Sequence, residues 1–270
     1  MAQLPGIAAF CDELRDAVKG HVFTPDDAGF ASGKPGQEES VKFGIAGAAP
    51  HPEVDYSKVN YSKEPWAADP SQCVNYVASH DNHTLWDRLL NARPDAPEAE
   101  RIRMHLLANT IVFTAQGIPF LHAGAELLRS KQGVENSFES PDSINQLDWS
   151  RKARYPEVFE YYRQLIRLRK EHPAFRLHDA DQLRRHLHFL PLDEPNLLGF
   201  RLEDHPNGEG WKSLTVVFNG SEEAKSLEIP EGRYRVLCRD GRLDAEGLGF
   251  FYGGQATLPP YSALILGEEN

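Results

Sequence analysis

The sequence predicts an α/β chain in two parts, a parallel strand–helix–strand portion followed by an all-β antiparallel sandwich. Three observations carry this expectation. First, Val74, Tyr76 and Val77 form a short β-branched and aromatic run that ends abruptly in the polar cluster Ser79-His80-Asp81-Asn82. Second, a long amphipathic segment follows and leads into another short apolar run within Gln116 to Leu127, the order of a strand, a helix and a parallel strand. Third, from about Arg184 the pattern changes to short β-rich runs separated by turn residues. In a parallel α/β barrel the residues just past a strand's carboxyl end form the active-site face, so 79–82 is where chemistry is expected.

Composition bounds the function. With 270 residues the chain can bury a sizeable core, and 40 acidic against 29 basic residues give a formal charge of -11. That balance argues against nucleic acid or an anionic membrane as partner and is compatible with a neutral substrate. No apolar run reaches the roughly 20 residues that cross a bilayer, and Met1-Ala2-Gln3-Leu4-Pro5 lacks a signal peptide's basic start, so the chain reads as cytoplasmic. Cys11, Cys73 and Cys238 are widely spaced with no Cys-x-x-Cys pair, which points to reduced core thiols and against a structural zinc site.

Gly6 to Gly20 reads, on its residues alone, as a short amphipathic helix with Leu14 and Val18 on one face and Arg15 and Lys19 on the other. His21 to Ala49 is rich in Gly and polar residues and is expected to be largely loop; its glycines lack the Gly-Lys-Ser/Thr ending of a phosphate loop. Between Val54 and Pro70, Tyr56, Tyr61 and Trp66 suit packing against a neighbouring loop or stacking on sugar rings. Pro97 to Ala115 repeats apolar residues at helical spacing, with one buried face starting at Ile102. Pro156 to Glu171 is the clearest helix, with Pro in its first turn, cations near its end and Pro173 stopping it. The β-rich runs are Leu197 to Leu202, Leu214 to Phe218, Arg233 to Leu237 and Ala263 to Leu266, punctuated by Asn219-Gly220, Glu231-Gly232 and Asp240-Gly241.

Tyr76-Val77-Ala78-Ser79-His80-Asp81-Asn82-His83-Thr84-Leu85-Trp86-Asp87 resembles the fourth conserved region of the α-amylase superfamily of glycoside hydrolases, and its Thr84 to Asp87 tail looks like the pullulanase branch. Gly6 to Gly20 is similar to that branch's segment around barrel strand six, and Gly117-Ile118-Pro119-Phe120 to strand eight. Leu128 to Asn145 resembles the loop after strand eight, with Phe138, Glu139 and Pro141 departing from its usual form. Leu258 to Leu266 resembles the last strand of the C-terminal domain. The resemblance implies a partial (β/α)8 TIM barrel, strands six to eight with their helices, over residues 1–180, and an antiparallel β-sandwich over 181–270.

It also implies roles. Asp81 would be the catalytic, transition-state-stabilising carboxylate, with His80 on the same sugar; Asn82, Arg129, Asp142 and Asn145 would contact substrate, and Glu126 would support. A retaining glycosidase further needs a nucleophile and a general acid about 5 to 5.5 Å apart. In the family these follow strands four and five, upstream of the segment matched by Gly6 to Gly20, and no Arg-x-Asp strand ending stands in that position here. The chain is therefore expected to represent the C-terminal part of an enzyme cleaving α-1,6-glucosidic bonds in pullulan, starch or glycogen, and to be inactive alone. Its sixth strand would then expose an apolar edge to a separately encoded N-terminal barrel part. The alternatives are a non-catalytic glucan-binding or scaffold protein, or one subunit of a split glycoside hydrolase. No cofactor is implied, and no Asp/Asn/Glu spacing of a calcium loop occurs, so no metal is expected.

Overall fold

The computed structural model describes residues 3–269. Strand β1 (Ala9–Phe10) runs into helix α1 (Asp12–Lys19), and α2 (Glu38–Ile45), β2 (Cys73–Asn75), α3 (Leu85–Ala92), α4 (Glu98–Thr114) and β3 (Ile118–Pro119) follow. The three strands form a parallel sheet in the order β1-β2-β3, which puts Phe10 beside Val74 and Val74 beside Ile118. The buried Asn75 side chain donates from Nδ2 to the carbonyls of Gly44 and Gln116, both at 2.8 Å, and so fixes the strand end that precedes 79–82.

One expectation needs correction. The stretch from Gly6 to Gly20 is not one helix: its first part is β1, because pairing with β2 satisfies that backbone, and only Asp12–Lys19 is helical. The stretch from His21 to Ala49 is largely loop, as expected, but it also carries α2, which buries Val41, Phe43 and Ile45 against α1. Gly44 is what permits this packing. A Cβ at that position would lie 2.5 Å from Leu14 Cβ. Helix propensity disfavours Gly, and the reason for its presence is a neighbour thirty residues away.

Helix α4 is the centre of the molecule. Its spacing predicts one buried face, but every residue from Met104 to Thr114 is buried, because α3, α7 and strands of the second sheet pack around it. Its buried hydroxyls are satisfied locally: Thr110 and Thr114 each donate to the carbonyl four residues earlier at 2.8 Å.

His105 on the same helix makes a pH-dependent contribution. Its Nε2 lies 2.9 Å from the Ala125 carbonyl, so Nε2 carries the hydrogen, and the buried Nδ1 has no partner to stabilise a second one. Burial pulls this imidazole down from 6.5 to about 4, against the opposing pull of the Ala125 carbonyl. The unfolded state therefore binds a proton between pH 6.5 and 4 that the folded state refuses, and stability conferred above pH 6.5 is lost as pH falls through that window. The loss from this residue should reach about 1.4 kcal/mol per pH unit. Urea unfolding of His105→Gln, which keeps a donor for Ala125, should show a flatter profile there; an unchanged slope would contradict the assignment.

Beyond β3 come the short helices α5 (Asp142–Asn145) and α6 (Ser150–Arg154), then α7 (Pro156–Glu171), which has the predicted bounds, and α8 (Ala180–His186). The remaining strands are β4 (Leu187–Phe189), β5 (Leu197–Glu203), β6 (Ser213–Asn219), β7 (Lys225–Ile229), β8 (Tyr234–Arg239), β9 (Arg242–Leu243), β10 (Phe250–Phe251), β11 (Gly254–Leu258) and β12 (Ser262–Glu268). A broad antiparallel sheet runs β10-β8-β12-β6-β5-β4 with β9 on β8, and β11 and β7 pair as a separate ribbon. Asp240 and Gly241, both at positive φ, make the two-residue β8–β9 hairpin that the sequence signals.

Alternation along these strands feeds two cores. Phe200, Val216, Phe218 and Ile265 join the core that includes α4 and α7, while Val217, Leu264 and Leu266 join Leu227, Ile229 and Leu258 of the ribbon. The second layer is thus only two strands wide, and helices cover the opposite face of the broad sheet. Among the described residues no helix is long and apolar enough to cross a membrane.

Candidate functional site

After β2 the backbone keeps Tyr76, Val77 and Ala78 buried and then surfaces at His80 and Asp81. Asn82 takes positive φ, which turns the chain, and Thr84 caps α3 by accepting from the Asp87 amide at 3.1 Å. The Asp81 side chain is 70% exposed and its Oδ1 lies 3.0 Å from His80 Nδ1. These two residues meet the loop after β3 across a cleft of about 250 Å³, lined also by Arg129, Lys131, Asn136, Ser137, Phe138 and Asn145.

The loop is held by buried polar groups. Asp87 accepts from Ser130 Oγ at 2.5 Å and from the Lys131 amide at 2.7 Å. Lys131, itself buried, donates from Nζ to the carbonyl of Glu135 at 2.8 Å and to that of His80 at 3.2 Å, so one ammonium joins the two sides of the cleft. Burial lowers its pKa, with the nearby Arg129 charge acting in the same direction and Asp87 against it.

Arg129 donates to the Asn145 carbonyl at 2.7 Å and to that of Ala123 at 3.2 Å, and its Nη1 faces His122 Nε2 at 3.2 Å. A guanidinium can only donate, so Nε2 accepts and His122 is neutral. Burial first, then Arg129, depresses that imidazole to about 4. Glu126 does not reach the cleft lining; its carboxylate accepts from the Gly124 amide at 3.0 Å.

Of the six residues that the sequence singles out, the structure brings His80, Asp81, Arg129 and Asn145 to one cleft, and neither Asn82 nor Asp142 is among its lining residues. Asp142 opens α5 in an exposed position. Asn145 reaches the cleft with its amide already committed: Nδ2 donates to the carbonyls of Ser137 and Ser140 at 2.7 and 3.0 Å, and Oδ1 accepts from Ser137 Oγ at 2.7 Å. Sequence reasoning gives no site role to Lys131 or Phe138. Lys131 lies in the Arg129-Ser130-Lys131 run and Phe138 among the departures from the family's loop, so both signals are present in the sequence without a geometry to interpret them.

Asp81 is the one carboxylate among the residues lining this cleft. It can accept hydrogen bonds from sugar hydroxyls and favour developing positive charge, whereas an acid and nucleophile pair at retaining spacing needs further carboxyls. Among the described residues no three His, Cys, Asp or Glu side chains gather as metal ligands.

Comparison with known proteins gives a consistent pattern. The family described as "Pullulanase, all-beta domain" matches residues 183–242. The pullulanase of Bacillus subtilis (strain 168) is 43% identical over 237 residues, which are 87% of this chain and 32% of that protein. Among solved structures, pullulanase type I from the same strain, complexed with maltose, superposes with a TM-score of 0.90 at 39% identity, covering 99% of this chain and 36% of that one. Pullulanase from Paenibacillus barengoltzii, in complex with maltohexaose and α-cyclodextrin, gives 0.86 at 43% identity, covering 100% and 40%. This chain spans between about a sixth and a third of the length of the curated relatives it matches.

Proposed function

This chain corresponds to the C-terminal part of pullulanases, in the α-amylase family of glycoside hydrolases, and on that premise we propose that it supplies one wall of an α-1,6-glucan debranching site. The observation that carries the reading is the exposed His80–Asp81 pair at the carboxyl end of the central parallel strand, facing the 129–145 loop across the cleft. Asp81 stabilises the oxocarbenium-like transition state by gripping hydroxyls of the sugar at the cleaved bond, and His80 bonds the same ring. Arg129 and Asn145 shape the loop, and Asn82 and Asp142 meet substrate further out. The substrates are pullulan, starch or glycogen, with retention at the anomeric carbon.

The nucleophile and the general acid come from outside these 270 residues. Residues 1–180 form strands six to eight of a (β/α)8 barrel and 181–270 its β-sandwich. The exposure of Phe10 (50%) and Ile118 (45%), abreast in the three-stranded sheet, supports such completion, because a barrel interior would cover both. The same surface leaves the chain prone to association when that cover is missing.

Calorimetry with maltohexaose tests the reading on the chain as it stands. Binding without turnover is expected, and Asp81→Ala should weaken it about tenfold, the scale of a charged acceptor bond lost to the ligand. Pullulan hydrolysis should appear only on adding a polypeptide that carries the first five barrel strands. Turnover that survives Asp81→Ala would overturn the assigned role. A non-catalytic glucan-binding protein is the second reading, favoured by the single carboxylate in the cleft, and it predicts binding with no turnover even in the completed assembly.

A further inference from the structure

Phe138 is the most exposed large hydrophobic side chain of the described residues, at 85%, yet the segment that carries it is pinned. The Ser140 amide donates to the Ser137 carbonyl at 2.9 Å, closing a turn with Phe138 and Glu139 at its two central positions. The Asn145 amide bonds both ends of that turn and the Ser137 hydroxyl as well. Arg129 in turn holds the Asn145 carbonyl at 2.7 Å. The hydrogen bonds of one side-chain amide thus all go to fixing a turn whose tip is a bare phenyl ring.

Exposed apolar rings are ordinarily tolerated where their backbone floats; the turn that carries this one is pinned, at the rim of a cleft whose other lining groups are all polar or charged. A pyranose presents hydroxyls around its edge and C–H groups on its faces. A site that binds one must therefore pair polar groups with a flat apolar surface, and an aromatic ring with its negative face supplies that surface. A turn ordered before the ligand arrives leaves only the side-chain rotamer of its ring to be fixed on binding.

We propose that Phe138 is a stacking platform for the apolar face of a glucose unit next to the one held by His80 and Asp81, and that Asn145 is the positioning residue that presents it. This inference rests on the glucan-binding reading above and adds a specificity determinant to the same site. The ligand class is an α-glucan of at least two or three linked units, because the polar groups and the phenyl ring engage neighbouring rings and a single glucose can satisfy only one of them.

The test titrates the full chain with maltotriose and follows binding by calorimetry. Phe138→Ala is expected to weaken maltotriose about tenfold, the scale of one aromatic contact, while Phe138→Trp retains or tightens binding. An 85%-exposed side chain can be replaced without unfolding, and an unchanged melting temperature would show it. Asn145→Ala should also weaken binding and, unlike loss of a ligand contact, should accelerate amide exchange at Ser140 in the free protein. Equal affinity of wild type and Phe138→Ala, with binding still weakened in Asp81→Ala, would overturn this proposal and leave the glucan-binding reading intact. No binding of maltotriose or maltohexaose by the wild-type chain would overturn both.

Discussion

Replacing Arg169 by Met is expected to lower the stability of the chain by about 3 kcal/mol or more, a large effect for one substitution. The guanidinium sits in the last turn of α7, buried, and donates to the carbonyls of Phe113 at 2.7 Å, Ala115 at 2.8 Å and Gly117 at 2.6 Å. Those carbonyls close α4 and begin the connection to β3, where a helix necessarily leaves its last acceptors unpaired. Methionine keeps the packed stem and donates nothing. Each buried acceptor left alone costs roughly 1–3 kcal/mol, and three of them set the estimate even if water reaches one. Burial lowers the Arg169 pKa to about 10, so the side chain stays charged at neutral pH. Denaturant unfolding would measure the loss, and Arg169→Lys should fall between, since one ammonium cannot span three carbonyls. A change below about 1 kcal/mol would mean that the connection satisfies itself without the arginine.

The second large effect is expected at Asp87. Its carboxylate, 2% exposed, accepts from Ser130 Oγ and the Lys131 amide, and its charge lies near the buried Lys131 ammonium. Asp87→Ala removes two hydrogen bonds to a charged group, together about 3 kcal/mol, and takes away one of the negative charges that offset the lysine's burial. The functional consequence is separate from the global one. Because Lys131 also holds the His80 carbonyl, loosening it should raise amide exchange across 129–137 and weaken maltohexaose binding together. Asp87→Asn retains one acceptor and should lie between wild type and alanine. If exchange in the loop stays slow in Asp87→Ala, the two sides of the cleft are held by something other than this residue.

These two residues illustrate what a sequence withholds. Helix α7 is legible because Val158, Leu165 and Leu168 repeat along one segment, but nothing near Arg169 in the chain announces that it serves carbonyls more than fifty residues earlier. Asp87 belongs to the Thr84 to Asp87 tail that marks the family's branch, and its physical task, gripping a loop forty-three residues away, emerges only from the fold. Helix α2 escapes a local reading for the same reason, since its Gly44 looks like a loop residue until Leu14 is placed against it. Asn145 is expected to touch sugar, and its amide proves to be committed to the 137–140 turn.

What the sequence determined by itself was whatever repeats or ends locally: the helices α4 and α7, the alternating strands β5, β6, β8 and β12, and the apolar-to-polar break that sets His80 and Asp81 past a strand. Periodicity and punctuation record which side of a segment is buried, and that information lies within a few residues. Tertiary structure alone decided which distant groups share one cleft, that α4 is buried on all sides from Met104 to Thr114, and that a pinned turn carries a phenyl ring at the rim. Those outcomes depend on contacts between residues tens of positions apart, and a local pattern carries no term for them.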